Sequence, residues 1–119
     1  MHKGIRIGQD GRVSIISWTN SNSYETLREA CTLDKGYIEA THLEAIKGTM
    51  WCDEEGKWKN GYTMNVVASK LWPKLLGYPT MDWLMGPVVI TGDADAQGNT
   101  LGLSEKQILQ IQELVKDVV

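Results

Sequence analysis

Phenylalanine is absent from this chain; its aromatic rings are five tryptophans and four tyrosines. Both residue types carry a polar handle and suit half-buried positions, ligand faces and interfaces. The plainer alternative is that the rings cover a small core. Long apolar runs are missing too, and none approaches the roughly 18 residues of a membrane span. The opening MHKGIRIGQDG lacks the apolar stretch of a signal peptide. Cysteine is scarce: Cys31 and Cys52 sit in unrelated contexts, and without an export signal the expectation is reduced thiols in a cytoplasm. A strong charge imbalance is also lacking. Net charge −3 over 119 residues is too mild for a nucleic-acid mimic and of the wrong sign for a duplex-binding protein. No repeat, low-complexity tract or linker divides the sequence, so one domain over residues 1–119 is expected.

What is present reads as alternating short strands and helices. IRIGQDGRVSIISW forms two strands joined at Gln9-Asp10-Gly11, an Asp-Gly hairpin signal. Asn22 stands at a helix start with Glu25 three residues on, a capping-box spacing, and Tyr24, Leu27, Ala30 and Cys31 then share one face. GYIEATHL alternates as a strand, and KGTMWC is the next one. In the stretch WCDEEGKWKNGY, Asp53 to Gly56 reads as a turn with Gly56 in the left-handed position, and Lys57 to Lys59 as a short returning strand. That symmetry would pair Trp51 with Trp58 across a hairpin. TMNVVASKLW is a helix that Pro73 ends or kinks. The apolar run around Val88, Val89 and Ile90 suggests a central strand buried on both sides. Ser104 and Gln107 make a capping box for a last helix with Ile108, Ile111, Val115 and Val118 on its core stripe. The expected class is α+β: a mixed, mostly antiparallel sheet of about five or six strands with three helices.

Motifs for chemistry are weak. Asp93-Ala-Asp95-Ala-Gln97-Gly98 opens like a calcium loop, but its twelfth position is Ser104 where a bidentate Glu is needed. His2 and His42 have no neighbouring ligand at metal spacing, so no metal site is expected. No serine stands in a nucleophile elbow, and no glycine loop leads into a helix that would present its N-terminus to a phosphate. Cys52 lies in an acidic setting that raises its pKa rather than activating it. Asp53, Glu54 and Glu55 lack a placed second group, and three acids in a turn more often just face water.

The remaining constellation is aromatic and polar. Trp18, Trp51 and Trp58 lie on or near strand ends, close in sequence to Asn20, Asn22, Lys57 and Lys59. Rings stack on nucleobases, amides read base edges and lysines neutralise phosphates. A Trp-rich oligomer interface explains the same residues equally well, and a ligand held between subunits would satisfy both readings.

The segments LREACTLDKGYIEATHL, WCDEEGKWKNGYTMNVVAS, MGPVVITGDADAQGN and LSEKQILQIQEL, in that order, resemble domain-of-unknown-function family 3846, small proteins encoded largely by bacteriophages and other mobile elements. The resemblance spans roughly residues 24 to 118. It falls on Gly36, Tyr37, Ile38 and Glu39, on Asp53 to Lys57, on Asn65 and Ala68, and on Gly86, Val88, Val89, Ile90, Gly92, Glu105 and Gln107. This chain departs from the pattern in the stretch Trp72 to Pro79, and in having Trp58-Lys59-Asn60-Gly61 where a Leu-Pro-type approach to the Asn is usual. The family label carries no enzyme activity. It implies a phage accessory protein in the host bacterial cytoplasm, of a kind that often counters host defence. The expectation is then a homo-oligomer that captures a nucleotide-type immune signal without cleaving it. Trp18, Trp51 and Trp58 would stack, Asn22 and Asn65 would read edges, and Arg12, Lys57 and Lys59 would meet phosphates. No cofactor, metal, duplex nucleic acid or membrane is called for. The alternative is an inhibitor that binds a host defence or replication protein through the same aromatic surface.

Overall fold

The computed structural model describes all 119 residues. One antiparallel sheet organises the molecule. Strands β1 (His2–Ile7), β2 (Val13–Trp18), β3 (Ile38–Leu43), β4 (Gly48–Asp53) and β5 (Val88–Gly92) lie in the order β2-β1-β5-β4-β3. Helices α1 (Ser23–Cys31), α2 (Val66–Leu76) and α3 (Glu105–Lys116) pack on it. The chain is thus α+β with five strands and three helices. No helix is long and apolar enough to cross a membrane.

Strand β5 is central, and all five of its residues are buried, which is why its sequence is a continuous apolar run rather than an alternation. Its side chains still point alternately to the two faces. Val88 and Ile90 join Ile5, Ile7 and Met50 against Ala68, Leu71 and Leu75 of α2 and Ile111 of α3. Val89 joins Leu27 and Cys31 of α1 on the opposite face, with Ile16 and Trp51 at the margin. One face therefore carries two helices and the main core, and the other carries one short helix.

Local signals explain most boundaries. Gly11 turns the first hairpin at φ +88, a value that a side chain resists, and Asp10 Oδ1 accepts the Arg12 N–H at 3.0 Å. Ser104 and Gln107 form the full capping box of α3. Helix α2 does not end at Pro73 but runs on to Leu76, and Gly77 closes it in the left-handed conformation with its N–H on the Pro73 carbonyl. The proline forfeits one helical hydrogen bond, and the burial of Leu75 and Leu76 offsets it.

Three local expectations are corrected. Asn22 makes no capping bond to α1; its Oδ1 accepts from the Thr19 N–H and hydroxyl instead. Tyr24, at the helix start, is 49% exposed and leaves the face shared by Leu27 and Cys31. Residues Gly56–Trp58 form a single 3-10 turn rather than a returning strand. Gly56 is needed there for space and not for a left-handed backbone: a Cβ would lie 3.1 Å from the Met85 carbonyl oxygen and 3.3 Å from the Tyr62 ring. With no second strand, Trp51 pairs with Ala40 and Val89 in the sheet, and Trp58 does not face it.

Candidate functional site

The 3-10 turn closes one side of a cleft of about 150 Å³, bounded by Glu39 and Cys52 of the sheet edge, Trp72 of α2, and the loop from Asp82 to Met85. The main-chain N–H of Asn65 bonds the Leu84 carbonyl at 2.8 Å and that of Gly86 bonds the Thr63 carbonyl at 2.8 Å. These bonds hold the loop beside the start of α2. Trp58 is 84% exposed and Trp83 48%, so both rings stand open at the rim. Three of the five tryptophans gather here.

Charge in the cleft is dominated by carboxylates. Glu39, Asp53, Glu54 and Asp82 line it, with Lys57 as the only lining cation. Lys57 pairs with Asp82 and its Nζ lies 4.8 Å from the centre of the Trp83 ring. Asp82 also accepts the Trp83 N–H at 2.8 Å, and the Lys57 ammonium, before that hydrogen bond, holds its carboxyl below the ordinary range. Glu39 accepts from the Cys52 thiol at 3.6 Å. Burial first, then Glu39, pushes that thiol up to about 12, so Cys52 offers no thiolate near neutral pH.

Behind the cleft lies a buried polar cluster. The Asp53 side chain is 1% exposed. Its Oδ2 accepts from the Tyr62 hydroxyl and from Lys59 Nζ at 2.9 Å, and its Oδ1 caps the Glu55 N–H at 2.8 Å. Lys59 also reaches Asp34 at 3.0 Å, and the Leu33 N–H donates to Tyr62 Oη at 2.8 Å. The cluster ties the loop after α1 to the end of β4. Burial, and then the Asp53 carboxylate, push the Tyr62 phenol up to about 12. The Asp53 hydrogen bond raises the Lys59 ammonium further above its ordinary value.

Of the eight residues singled out in the sequence, Lys57 and Trp58 meet at the cleft. Lys59 lies next to it, but its ammonium is committed to Asp53 and Asp34. Trp51 is half-buried against the α1 side of the sheet and donates its indole N–H to Thr91 Oγ1 at 3.0 Å. Trp18 is 1% exposed, with its indole N–H on the Thr100 carbonyl at 3.1 Å; no face of the ring is free to stack on a ligand. Asn65 is fully buried. Its Oδ1 caps α2 at the Ala68 N–H, and its Nδ2 donates to the carbonyls of Ile7 and Gly86 at 3.0 and 2.9 Å. That uses both donor hydrogens and leaves none for a base edge. Arg12 lies in the first hairpin turn and Asn22 in the loop before α1, neither of them at the cleft. Sequence reasoning missed Glu39, Trp72, Asp82 and Trp83. Asp82 and Trp83 stand just before the apolar run of β5, and an acid beside an indole there is the available signal.

Elsewhere the polar groups serve structure. Asp95 Oδ1 accepts the N–H groups of Gln97 and Asn99, both at 2.9 Å, and so closes the turn after β5. No group of three or more His, Cys, Asp or Glu side chains is placed to hold a metal ion.

The family model described as Domain of unknown function (DUF3846) matches residues 2–116, and the chain belongs to that family. No curated protein matches it, and no solved structure does.

Proposed function

We propose that this member of the DUF3846 family is a non-catalytic binding protein that grips a partner protein through the cleft between Gly56–Trp58 and Asp82–Met85. The observation that carries this reading is the exposure of Trp58 and Trp83 at the rim of one cleft. Met81, 98% exposed, lies two residues before Trp83, and Tyr37, 74% exposed, is joined to Glu54 by a main-chain bond. Exposed tryptophan and tyrosine beside a pocket are what binding hot spots are made of. The non-catalytic character rests on a thiol held protonated and on the lack of a nucleophile placed beside a base.

The setting follows from the family resemblance: an accessory protein of a mobile element that acts in the host cytoplasm against a host defence or replication factor. Capture of a nucleotide immune signal is the competing ligand class, favoured by the open Trp58 ring next to Lys57. Three features weigh against it within one protomer. Ligand pockets run to about 300–1,000 Å³, and this cleft is half the lower figure. Its carboxylates outnumber its single lysine. Trp18 and Asn65 are enclosed. A site shared by two copies in a homo-oligomer is the route left open to the nucleotide reading.

The test pairs two measurements on the purified protein. Affinity capture from host lysate should recover one stoichiometric partner that is lost with the Trp58→Ala, Trp83→Ala variant. Calorimetry with cyclic di- and trinucleotides and cyclic ADP-ribose isomers should give no heat. Tight binding of any of these nucleotides, with no partner sensitive to the double variant, would transfer the proposal to the nucleotide class.

A further inference from the structure

We infer that the cleft recognises an arginine side chain of the partner protein, inserted between the Trp58 and Trp83 rings and met by the free carboxylates of Glu39 and Glu54. This rests on the protein-binding reading above and specifies its contact.

The cleft already holds a cation: Lys57, from the protein's own 3-10 turn, sits over Trp83 and pairs with Asp82. An indole face with an adjacent carboxylate is the chemical environment that attracts ammonium and guanidinium groups.

Acidic charge is left over in the cleft. Asp82 is matched by Lys57 and Asp53 by Lys59. Glu39 and Glu54 take part in no ion pair, yet both line the same space. Two uncompensated carboxylates beside open indoles repel a phosphate and favour a second cation. Within this small concave site, carboxylates and rings act together on one group.

Size and shape narrow the choice. A space of about 150 Å³ admits one long side chain. Of the two basic ones, arginine fits better: its planar guanidinium stacks flat on an indole and offers paired N–H donors to a carboxylate, whereas a lysine head is a compact, strongly hydrated charge. The indole N–H of Trp72, which lines the cleft, has no hydrogen-bond partner; a guanidinium has no acceptor to offer it, so that donor is left for a main-chain carbonyl of the entering segment.

Lys57 acquires an unexpected role. It is a stand-in for the ligand, and an entering arginine must compete with it. Removing Lys57 should therefore strengthen binding, the reverse of what a phosphate contact would show.

The experiment is an NMR titration of the full chain, following the five indole N–H signals, with the peptide acetyl-Gly-Arg-Gly-amide as the probe. Its isostere with citrulline in place of arginine and AMP serve as controls. The expected result is a saturable, salt-sensitive shift of the Trp58, Trp72 and Trp83 signals, with those of Trp18 and Trp51 unmoved. Citrulline should bind at least about fivefold more weakly, the loss of one half-exposed cation–π and carboxylate contact. Glu39→Gln should weaken binding and Lys57→Met should tighten it about threefold or more. Equal binding of arginine and citrulline peptides, or a loss with Lys57→Met, overturns the assignment. Saturable AMP shifts at Trp58 that Lys57→Met abolishes overturn it in favour of the nucleotide reading. A partner protein lost with Trp58→Ala, Trp83→Ala while the arginine probe leaves all indoles unmoved sinks the arginine contact alone and keeps the binding role. Arginine-specific shifts without any such partner keep the guanidinium site but overturn its assignment to a partner protein.

Discussion

Replacing Asn65 by Asp separates a structural role from a ligand-reading one, and the two give opposite results. Asp is as good a helix N-cap as Asn in general, so capping alone predicts almost no change in stability. The buried surroundings predict otherwise. Oδ1 can keep its bond to the Ala68 N–H, but the Nδ2 donor that serves the carbonyls of Ile7 and Gly86 becomes an acceptor facing two acceptors. Each buried polar group left without its partner costs about 1–3 kcal/mol, so the pair places the loss at about 2–6 kcal/mol. A domain of this size has about 5–15 kcal/mol in total, and the variant should remain folded but fragile. Urea unfolding with an unchanged m-value should show the drop as a lower midpoint. Protonating the new carboxyl restores one donor, so its folded-state pKa is raised. The variant's deficit is then smallest below the ordinary carboxyl value near 4 and grows as pH rises through the raised one. Asn65→Asp within about 0.5 kcal/mol of the wild type at pH 7 would refute this account. A selective loss of ligand binding at unchanged stability would return Asn65 to the recognition role read from the sequence.

The other consequences follow from titrating and buried groups. Tyr62→Phe removes an acceptor for the Leu33 N–H and a donor to Asp53, and urea unfolding should register a loss of about 1–3 kcal/mol. The Tyr62 phenol is raised to about 12. Its stabilisation is therefore complete below the unfolded value near 10 and lost as pH rises through 12, and unfolding curves at alkaline pH should show this in the wild type but not in Tyr62→Phe. His42 has its pKa raised by the Glu44 hydrogen bond, then by Asp93. An NMR titration should find it above the ordinary 6.5 and lower again in Glu44→Gln. The small stabilisation involved is present below 6.5 and fades as pH rises through the raised value. Cys31 and Cys52 are both buried, with thiols pushed up to about 12 chiefly by burial. Ellman's reagent at pH 8 should react slowly with the native protein and promptly with two thiols after denaturation; rapid native reaction would contradict their enclosure.

Elements whose signals are local were legible in the sequence. The Asp10-Gly11 turn, the Ser104–Gln107 box and the β5 run each depend on a few adjacent residues. Elements decided by distant partners were not. Asn65 caps α2 recognisably, but its two further bonds go to Ile7, 58 residues away, and to Gly86, 21 away, and no local pattern announces them. Asn22 has the capping spacing, yet its oxygen takes two donors from Thr19 instead. The exposure of individual tryptophans was hidden for the same reason. Trp18 covers Gly4, where a Cβ would lie 2.9 Å from its ring, and that contact is set by strand register rather than by neighbours in sequence.

The stretch WCDEEGKWKNGY shows how a candidate site arises from a failed hairpin. A returning strand would have placed Trp58 back on the sheet opposite Trp51, and both rings would have been consumed by packing. Asp53 prevents this. Its buried carboxylate draws in Lys59 and Tyr62 and caps Glu55, which folds the chain tightly into a 3-10 turn over Gly56. A bulkier residue at Gly56 would press on the Met85 carbonyl and the Tyr62 ring. The turn therefore stays close to the loop that carries Asp82 and Trp83, and Lys57 reaches across to both. The same cluster that stabilises the sheet edge thus keeps Trp58 out of the core and open at the rim of an acidic cleft. Neighbouring residues divide the work: Asp53, Gly56 and Lys59 make the turn, while Glu54, Lys57 and Trp58 line the cleft.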